Sequence, residues 1–216
     1  LGHIEFDEMK EGYELAVGAA IDGGADVILY ETCQDPLQIK AALIGAEDAF
    51  AAKGVRLPVM VSATIETNGT MLIGTDAKTL ATILEPFDIL SLGFNCGTGP
   101  EEVAKHVKIL SELWDRPISV HSNAGLPQNR GGFTFYPMGP QEFAALQKEF
   151  CSLDGVAILG GCCGTTPQHI LELAKEVKTL IPKKPTGAQP NSLASLFESF
   201  PLIQEPAPLY IGERSN

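Results

Sequence analysis

The sequence predicts an α/β fold of the (β/α)8 TIM barrel type, with five strand–helix units legible in the chain. Three observations predict it. Short apolar runs of strand length alternate with longer stretches of helical periodicity. The runs begin about 30 residues apart, with a wider gap before the last. Polar, reactive side chains follow nearly every run, whereas ordinary turn material such as Gly23-Gly24 and Leu57-Pro58 precedes them. A TIM barrel draws its active site from the C-terminal ends of many strands. A doubly wound sheet gathers its ligand at one switch point behind a Gly-x-Gly-x-x-Gly turn, and no such turn follows the first run.

In chain order, residues 27–30 form the first strand-like run, with Glu31 at its end. A helix over residues 36–53 then carries Leu37, Ala41, Ile44 and Ala49 on one side. Residues 58–62 are the second run, ending near Ser62 and Thr64, and residues 89–92 the third, followed by Asn95 and Cys96. The stretch 100–114 reads as a helix through Val103, Val107 and Leu110. Residues 118–120 lead to His121 and Asn123, and residues 156–159 lead to Cys162 and Cys163. A helix over 167–180 carries Ile170, Leu173, Ala174 and Val177. Asp35-Pro36, Gly99-Pro100, Gly139-Pro140 and Thr166-Pro167 each put a cap-type residue before a proline at the first helical position. Helices that start this soon after a strand imply a parallel sheet with helices packed outside it.

The tail differs. Residues 182–208 hold six prolines, with glycine, asparagine and serines between them. They read as a linker between domains or a strap against the barrel, with a short helix possible over 193–200. Leu209-Tyr210-Ile211 then looks like the start of a new strand.

Composition narrows the function classes. A chain of 216 residues, 44% hydrophobic and 19% charged, is that of a globular domain able to bury a proper core. No apolar run approaches the roughly 20 residues of a membrane helix, and the start shows no signal-peptide pattern. Five cysteines, an odd and sparse set, fit a reducing cytoplasm better than a secreted disulfide scaffold. The net charge of −12 argues against nucleic acid or an anionic membrane as partner.

The chemistry concentrates in Gly93-Phe94-Asn95-Cys96-Gly97 and Gly160-Gly161-Cys162-Cys163-Gly164. Three thiolates converging from two strand ends form a soft anionic pocket. It suits zinc with one position open, the layout of a catalytic site. Cysteines that fill a core or carry redox chemistry are the plainer reading, and it fits Cys151 and Cys33. It fits Cys162-Cys163 poorly, because neighbours on a strand face opposite ways. A structural zinc site would show paired CxxC motifs, and the chain has none.

These residues also carry a resemblance. Gly-x-Asn-Cys at 93–96 with Gly-Gly-Cys-Cys-Gly-Thr-Thr-Pro at 160–167 resembles the zinc signature of the homocysteine S-methyltransferase family. Residues 24–32 and the loop Asn123-Ala124-Gly125-Leu126-Pro127 are similar to the same family, over about residues 10–180 in all. The ending Ile211-Gly212-Glu213-Arg214-Ser215-Asn216 resembles the opening strand of the pterin-binding module that follows the homocysteine module in cobalamin-dependent methionine synthases.

The resemblance implies a TIM barrel whose fourth to eighth strands are the five seen here, the first three βα units being absent. It implies a homocysteine-binding domain over 1–181, a Pro-rich linker over 182–208 and the start of a pterin-binding domain over 209–216. The implied activity is zinc-dependent methylation of homocysteine to methionine. Cys96, Cys162 and Cys163 would hold the metal, and Glu31 and Asn123 would be the substrate-binding residues, Glu31 at the substrate amino group. The implied donor is methylcobalamin on another module of the same polypeptide. A stand-alone enzyme using betaine or S-methylmethionine, and a non-catalytic metal-binding remnant, are the alternatives. Asn123 is expected to order the site loop through hydrogen bonds rather than to lend its oxygen to zinc. His121 is expected to be a strand-end histidine satisfied by backbone. Phe133, Phe135 and Tyr136 lie in a long loop that either covers the barrel mouth or packs outside it.

Overall fold

The computed structural model describes residues 2–208. The expected start of a second domain at 209–216 lies outside the described residues. Five parallel strands, β1 (Ile28–Cys33), β2 (Val59–Ala63), β3 (Ser91–Asn95), β4 (Ile118–Ser122) and β7 (Val156–Gly161), lie side by side in that order. Between β4 and β7, β5 (Gln128–Arg130) pairs antiparallel with β6 (Phe133–Phe135) across the two-residue turn Gly131-Gly132. Helices α2 (Pro36–Lys53), α3 (Ala77–Leu84), α4 (Pro100–Leu113) and α5 (Pro140–Glu149) make the crossovers, α6 (Pro167–Val177) follows β7, and α1 (Phe6–Asp22) precedes β1. The result is an open arc of a (β/α)8 barrel, as the alternation predicts.

Each strand reaches further toward its C-terminal end than its apolar run. β3 includes Gly93, Phe94 and Asn95, which the apolar pattern alone places beyond the strand. The reason is the polar face of the sheet. Register pairs Ser62 with Gly93, Gly93 with Ser119, Asn95 with His121 and His121 with Gly160. Register partners in a parallel sheet point to one side, so this side is lined by serines, glycines, asparagine and histidine. Val61, Leu92, Phe94 and Val120 project to the other side and are buried with the helices. Burying each such side chain contributes about 1.5–3 kcal/mol.

The helix starts follow the capping chemistry. Asp35 accepts from the Leu37 amide at 2.7 Å, and Glu102 accepts from the Gly99 amide at 3.0 Å. Thr166 and His169 close a reciprocal cap, and the other ring nitrogen of His169 meets the Met138 carbonyl at 3.0 Å. The α6 helix ends at Val177, short of the periodic stretch, where the backbone turns into the proline-rich tail.

That tail forms no helix at 193–200. Residues Ser192–Ala194 and Ser199–Pro201 are strands β8 and β9 of an antiparallel hairpin, with Leu193 opposite Phe200. The Ser195 hydroxyl accepts from the Phe197 and Glu198 amides and closes the turn. The tail runs along the molecule as a strap. Lys183 receives the Gly155 amide beneath β7, the Ala188 amide donates to Glu112 at the end of α4, and Thr82 on α3 meets the Ser199 hydroxyl at 2.8 Å. The Thr75 hydroxyl donates to the Leu196 carbonyl at 2.6 Å, which anchors the hairpin beside the loop that follows β2.

Candidate metal and substrate site

The site stands at the C-terminal ends of β3, β4 and β7. Cys96 follows β3 in the left-handed conformation, with φ of 60°, and Gly97 continues it with φ of 66°. Such a pair turns the chain sharply, so that the Thr98 amide reaches back to the Cys96 carbonyl at 2.6 Å. Only glycine serves at 97: a Cβ there would sit 2.4 Å from the Ile65 carbonyl oxygen. Gly164, with φ of 79°, likewise leaves space that the Tyr136 ring occupies.

Backbone bonds stitch the three loops together. The Cys96 amide donates to the His121 carbonyl, the Cys162 amide to Ser122, the Asn123 amide to Thr98 and the Ala124 amide to Cys163. The Thr165 hydroxyl and amide both donate to the Cys162 carbonyl. Cys162 and Cys163 lie just beyond β7, in the turn before α6, so the alternation of a strand does not separate their side chains.

The three sulfurs converge. Their Sγ atoms all lie within 4.8 Å of one another, and Cys96 and Cys163 are 3.6 Å apart. A tetrahedral zinc with sulfur ligands at about 2.3 Å requires sulfur–sulfur edges of about 3.8 Å. The donor set and its spacing therefore fit a tetrahedral thiophilic ion, with the fourth position open. Burial pushes the Cys162 thiol up to about 11, with the neighbouring Cys96 and Cys163 adding to the rise and a hydrogen bond from Asn95 opposing it. An ion bound among the sulfurs would reverse this, because coordination deprotonates a thiol outright.

The remaining expected site residues divide. Asn123 is buried, and its Oδ1 accepts the Cys163 amide at 3.0 Å. Glu31 lies exposed at the end of β1 on the same rim. His121 corrects the expectation of a backbone-satisfied ring: its Nδ1 is buried and finds no partner among the described residues. Burial also holds its pKa below the usual imidazole range, with Glu31 opposing. Of the aromatic residues, Phe133 is exposed on the small hairpin, whereas Tyr136 turns inward against Gly164. Cys33 is deeply buried and burial raises its thiol to about 12, so it fills the core; Cys151 is only half-buried.

The sequence reading did not single out Asn95 beyond its place in the motif. Its side chain is 1% exposed and meets Thr32, Ser62 and Cys162. Thr32, which Asn95 contacts, lines a cavity of about 270 Å³ with Gln34 and Gln38 after β1, and Phe6 and Met9 of α1 form its apolar wall.

Fold and site together define a (β/α) barrel protein with a three-cysteine cluster at its C-terminal rim. The family model described as homocysteine S-methyltransferase matches residues 1–177. The chain belongs to the homocysteine S-methyltransferase family, whose members are methyltransferases. It is 42% identical over 217 aligned positions to a methionine synthase of Mycobacterium tuberculosis, and 40% identical over 222 to that of Mycobacterium leprae. Each alignment covers 100% of this chain but 18% of the relative, so the chain spans under a fifth of those proteins. Among solved structures, the apo homocysteine methyltransferase MmuM of Escherichia coli matches with a TM-score of 0.60 at 22% identity, over 81% of this chain and 58% of MmuM. The metallated form of MmuM matches with a TM-score of 0.59. At that identity the likeness is one of fold. No described helix is long and apolar enough to cross a membrane.

Proposed function

We propose that this chain is the homocysteine-activating part of a methionine synthase, and that it methylates the homocysteine thiol at a zinc centre held by Cys96, Cys162 and Cys163. The observation that carries this reading is the convergence of three sulfurs within 4.8 Å at the barrel rim. The relatives named methionine synthase favour this role over that of a stand-alone enzyme. Residues 1–181 would be the homocysteine domain and 182–208 its linker, with a pterin-binding domain opening at 209. The methyl donor would be methylcobalamin carried by another module, and the setting cytoplasmic.

Bound among the sulfurs, zinc supplies a Lewis-acid position at which the substrate thiol ionises at neutral pH. The chain does the rest. Cys96, Cys162 and Cys163 present three fixed sulfurs and leave one side open toward the polar face of the sheet. Asn123 holds the Cys163 amide, so the turn that aims this sulfur cannot rotate away. Glu31 faces the substrate's amino group from the rim of β1 and sets the direction from which the amino acid enters. Positioning of this kind removes the need to find the reactive geometry by diffusion.

Elemental analysis of the reduced protein tests the reading. One zinc per chain is expected, lost in Cys96→Ser, with homocysteine binding lost beside it. Full zinc occupancy in Cys96→Ser would refute the ligand set.

A further inference from the structure

Asn95 occupies an unusual place in the sheet. It sits on β3, yet its side chain touches β1 on one side and the turn after β7 on the other, each two strands away in the order β1-β2-β3-β4-β7. A primary amide has two acceptor positions and two donors, and here all four are used. Its Oδ1 accepts from the Thr32 amide at 2.9 Å and from the Ser62 hydroxyl at 2.7 Å. Its Nδ2 donates to the Thr32 hydroxyl at 2.8 Å and points to Cys162 Sγ at 3.8 Å. The orientation is not ambiguous. A backbone N–H can only donate, so the atom facing the Thr32 amide must be oxygen, and the nitrogen must face the sulfur.

Two consequences follow from chemistry. An N–H aimed at a sulfur favours the sulfur as acceptor, that is, as thiolate, and fixes its direction. The Thr32 end matters as well. Thr32 is β-branched yet held at φ of 58°, a conformation that costs about 1–3 kcal/mol and persists only where neighbours enforce it. Asn95 grips both its amide and its hydroxyl. Thr32 directly follows Glu31, so whatever fixes Thr32 fixes the backbone from which the Glu31 side chain projects.

We propose that Asn95 is a positioning residue that ties the two halves of the site together, aiming the Cys162 sulfur at the metal while locking the Glu31–Thr32 bend at the amino-acid end. This rests on the zinc and homocysteine reading given above. The side chain required is narrow. Aspartate has the same shape and keeps the acceptor for Ser62 and Thr32, but it turns an anionic oxygen toward the sulfur. Alanine removes every contact.

The test uses the full-length natural protein with Asn95→Asp and Asn95→Ala. Three quantities are read: zinc retention against a chelator without substrate, the cobalt(II)–thiolate absorption of the substituted protein, and KM against kcat for homocysteine. Loss of a hydrogen bond that orients a metal ligand costs about 10–100-fold in metal affinity. Asn95→Asp is expected to lose zinc at least as readily as Asn95→Ala, to shift the cobalt absorption, and to raise KM more than it lowers kcat. A merely structural role predicts the reverse order, with the isosteric aspartate close to wild type. Should Asn95→Ala fail to fold, the aspartate variant decides alone. Wild-type zinc retention and spectrum in Asn95→Asp would overturn the proposal. A wild-type protein that binds neither zinc nor homocysteine would instead overturn the functional reading on which it stands.

Discussion

The cysteine-bearing rim and the proline-rich strap are both held against the same barrel, but by different means. The rim is stitched by backbone bonds among the ends of β3, β4 and β7, and its buried side chains Asn95, Asn123 and Ser62 lie within 2% exposure. The strap has scattered backbone bonds, from Gly155 to Lys183 and from Ala188 to Glu112, and side-chain contacts of Thr75, Thr82 and Thr186, of which only Thr75 is buried. Geometry in the first region is dictated by main-chain conformation and tolerates little. In the second it depends on separable contacts, each worth about 0.5–1.5 kcal/mol.

The largest expected effect breaks the rim at its chemistry. Cys162→Ser in the full-length protein is expected to lower homocysteine methylation roughly 100-fold or more, because the ionised nucleophile and its fixed position are lost together. Raising the pH restores part of the rate by supplying free thiolate. Steady-state rates and zinc content measured side by side check both points.

Next comes the backbone of the rim. Gly97→Ala places a Cβ against the Ile65 carbonyl at a left-handed position. Denaturant unfolding should register a loss of about 1–3 kcal/mol, accompanied by weaker metal retention. A neutral result would mean that the loop relaxes more readily than its backbone bonds imply.

A milder effect concerns pH. The folded-state pKa of Cys162 is raised to about 11, so the metal-free protein binds a proton there that the unfolded chain has already released. Its contribution is intact below the ordinary thiol range and is lost as pH rises from there through about 11. Thermal melts of metal-free protein should fall across that window. With zinc bound the thiol is already ionised and the trend should vanish. Metal affinity runs the other way and weakens as pH falls, because protons compete for the sulfurs.

The smallest expected effect belongs to the strap. Thr82→Val removes hydroxyl contacts to Ser199 and Gln189. It should cost about 0.5–1.5 kcal/mol and leave zinc retention unchanged. Loss of metal in this variant would erase the distinction between the two regions.

The same contrast governs what could be read from the residues. The order of the five strands, the proline-led helix starts and the three cysteines were legible because each is written in local sequence: periodicity, cap chemistry and glycine-flanked thiols. The hairpin at 192–201 was not. Its pairing of Leu193 with Phe200 needs α3 to pack against, and its local composition fits a loose helix as well. Helix α1 went unread because it lies ahead of the first strand, outside the repeating unit that organised the rest. Strand ends were placed too early wherever polar residues continue the strand, as at Gly93–Asn95. The four contacts of Asn95 reach residues 33 to 67 positions away and leave no local trace, so only its place beside Cys96 hinted at a role.

The left-handed pair Cys96-Gly97 would bear on ion selection at the proposed metal site. A cysteine on a flexible loop must lose conformational entropy each time an ion binds, and it can shift to suit ions of many sizes. Here the entropy is lost once, during folding. The 3.6 Å spacing of Cys96 and Cys163 then acts as a ruler. A small tetrahedral ion would fit it without moving the backbone, whereas a larger soft ion would have to force apart strand ends that backbone hydrogen bonds hold closed. At the proposed metal site the fold would thereby grade ions by radius as well as by their affinity for sulfur.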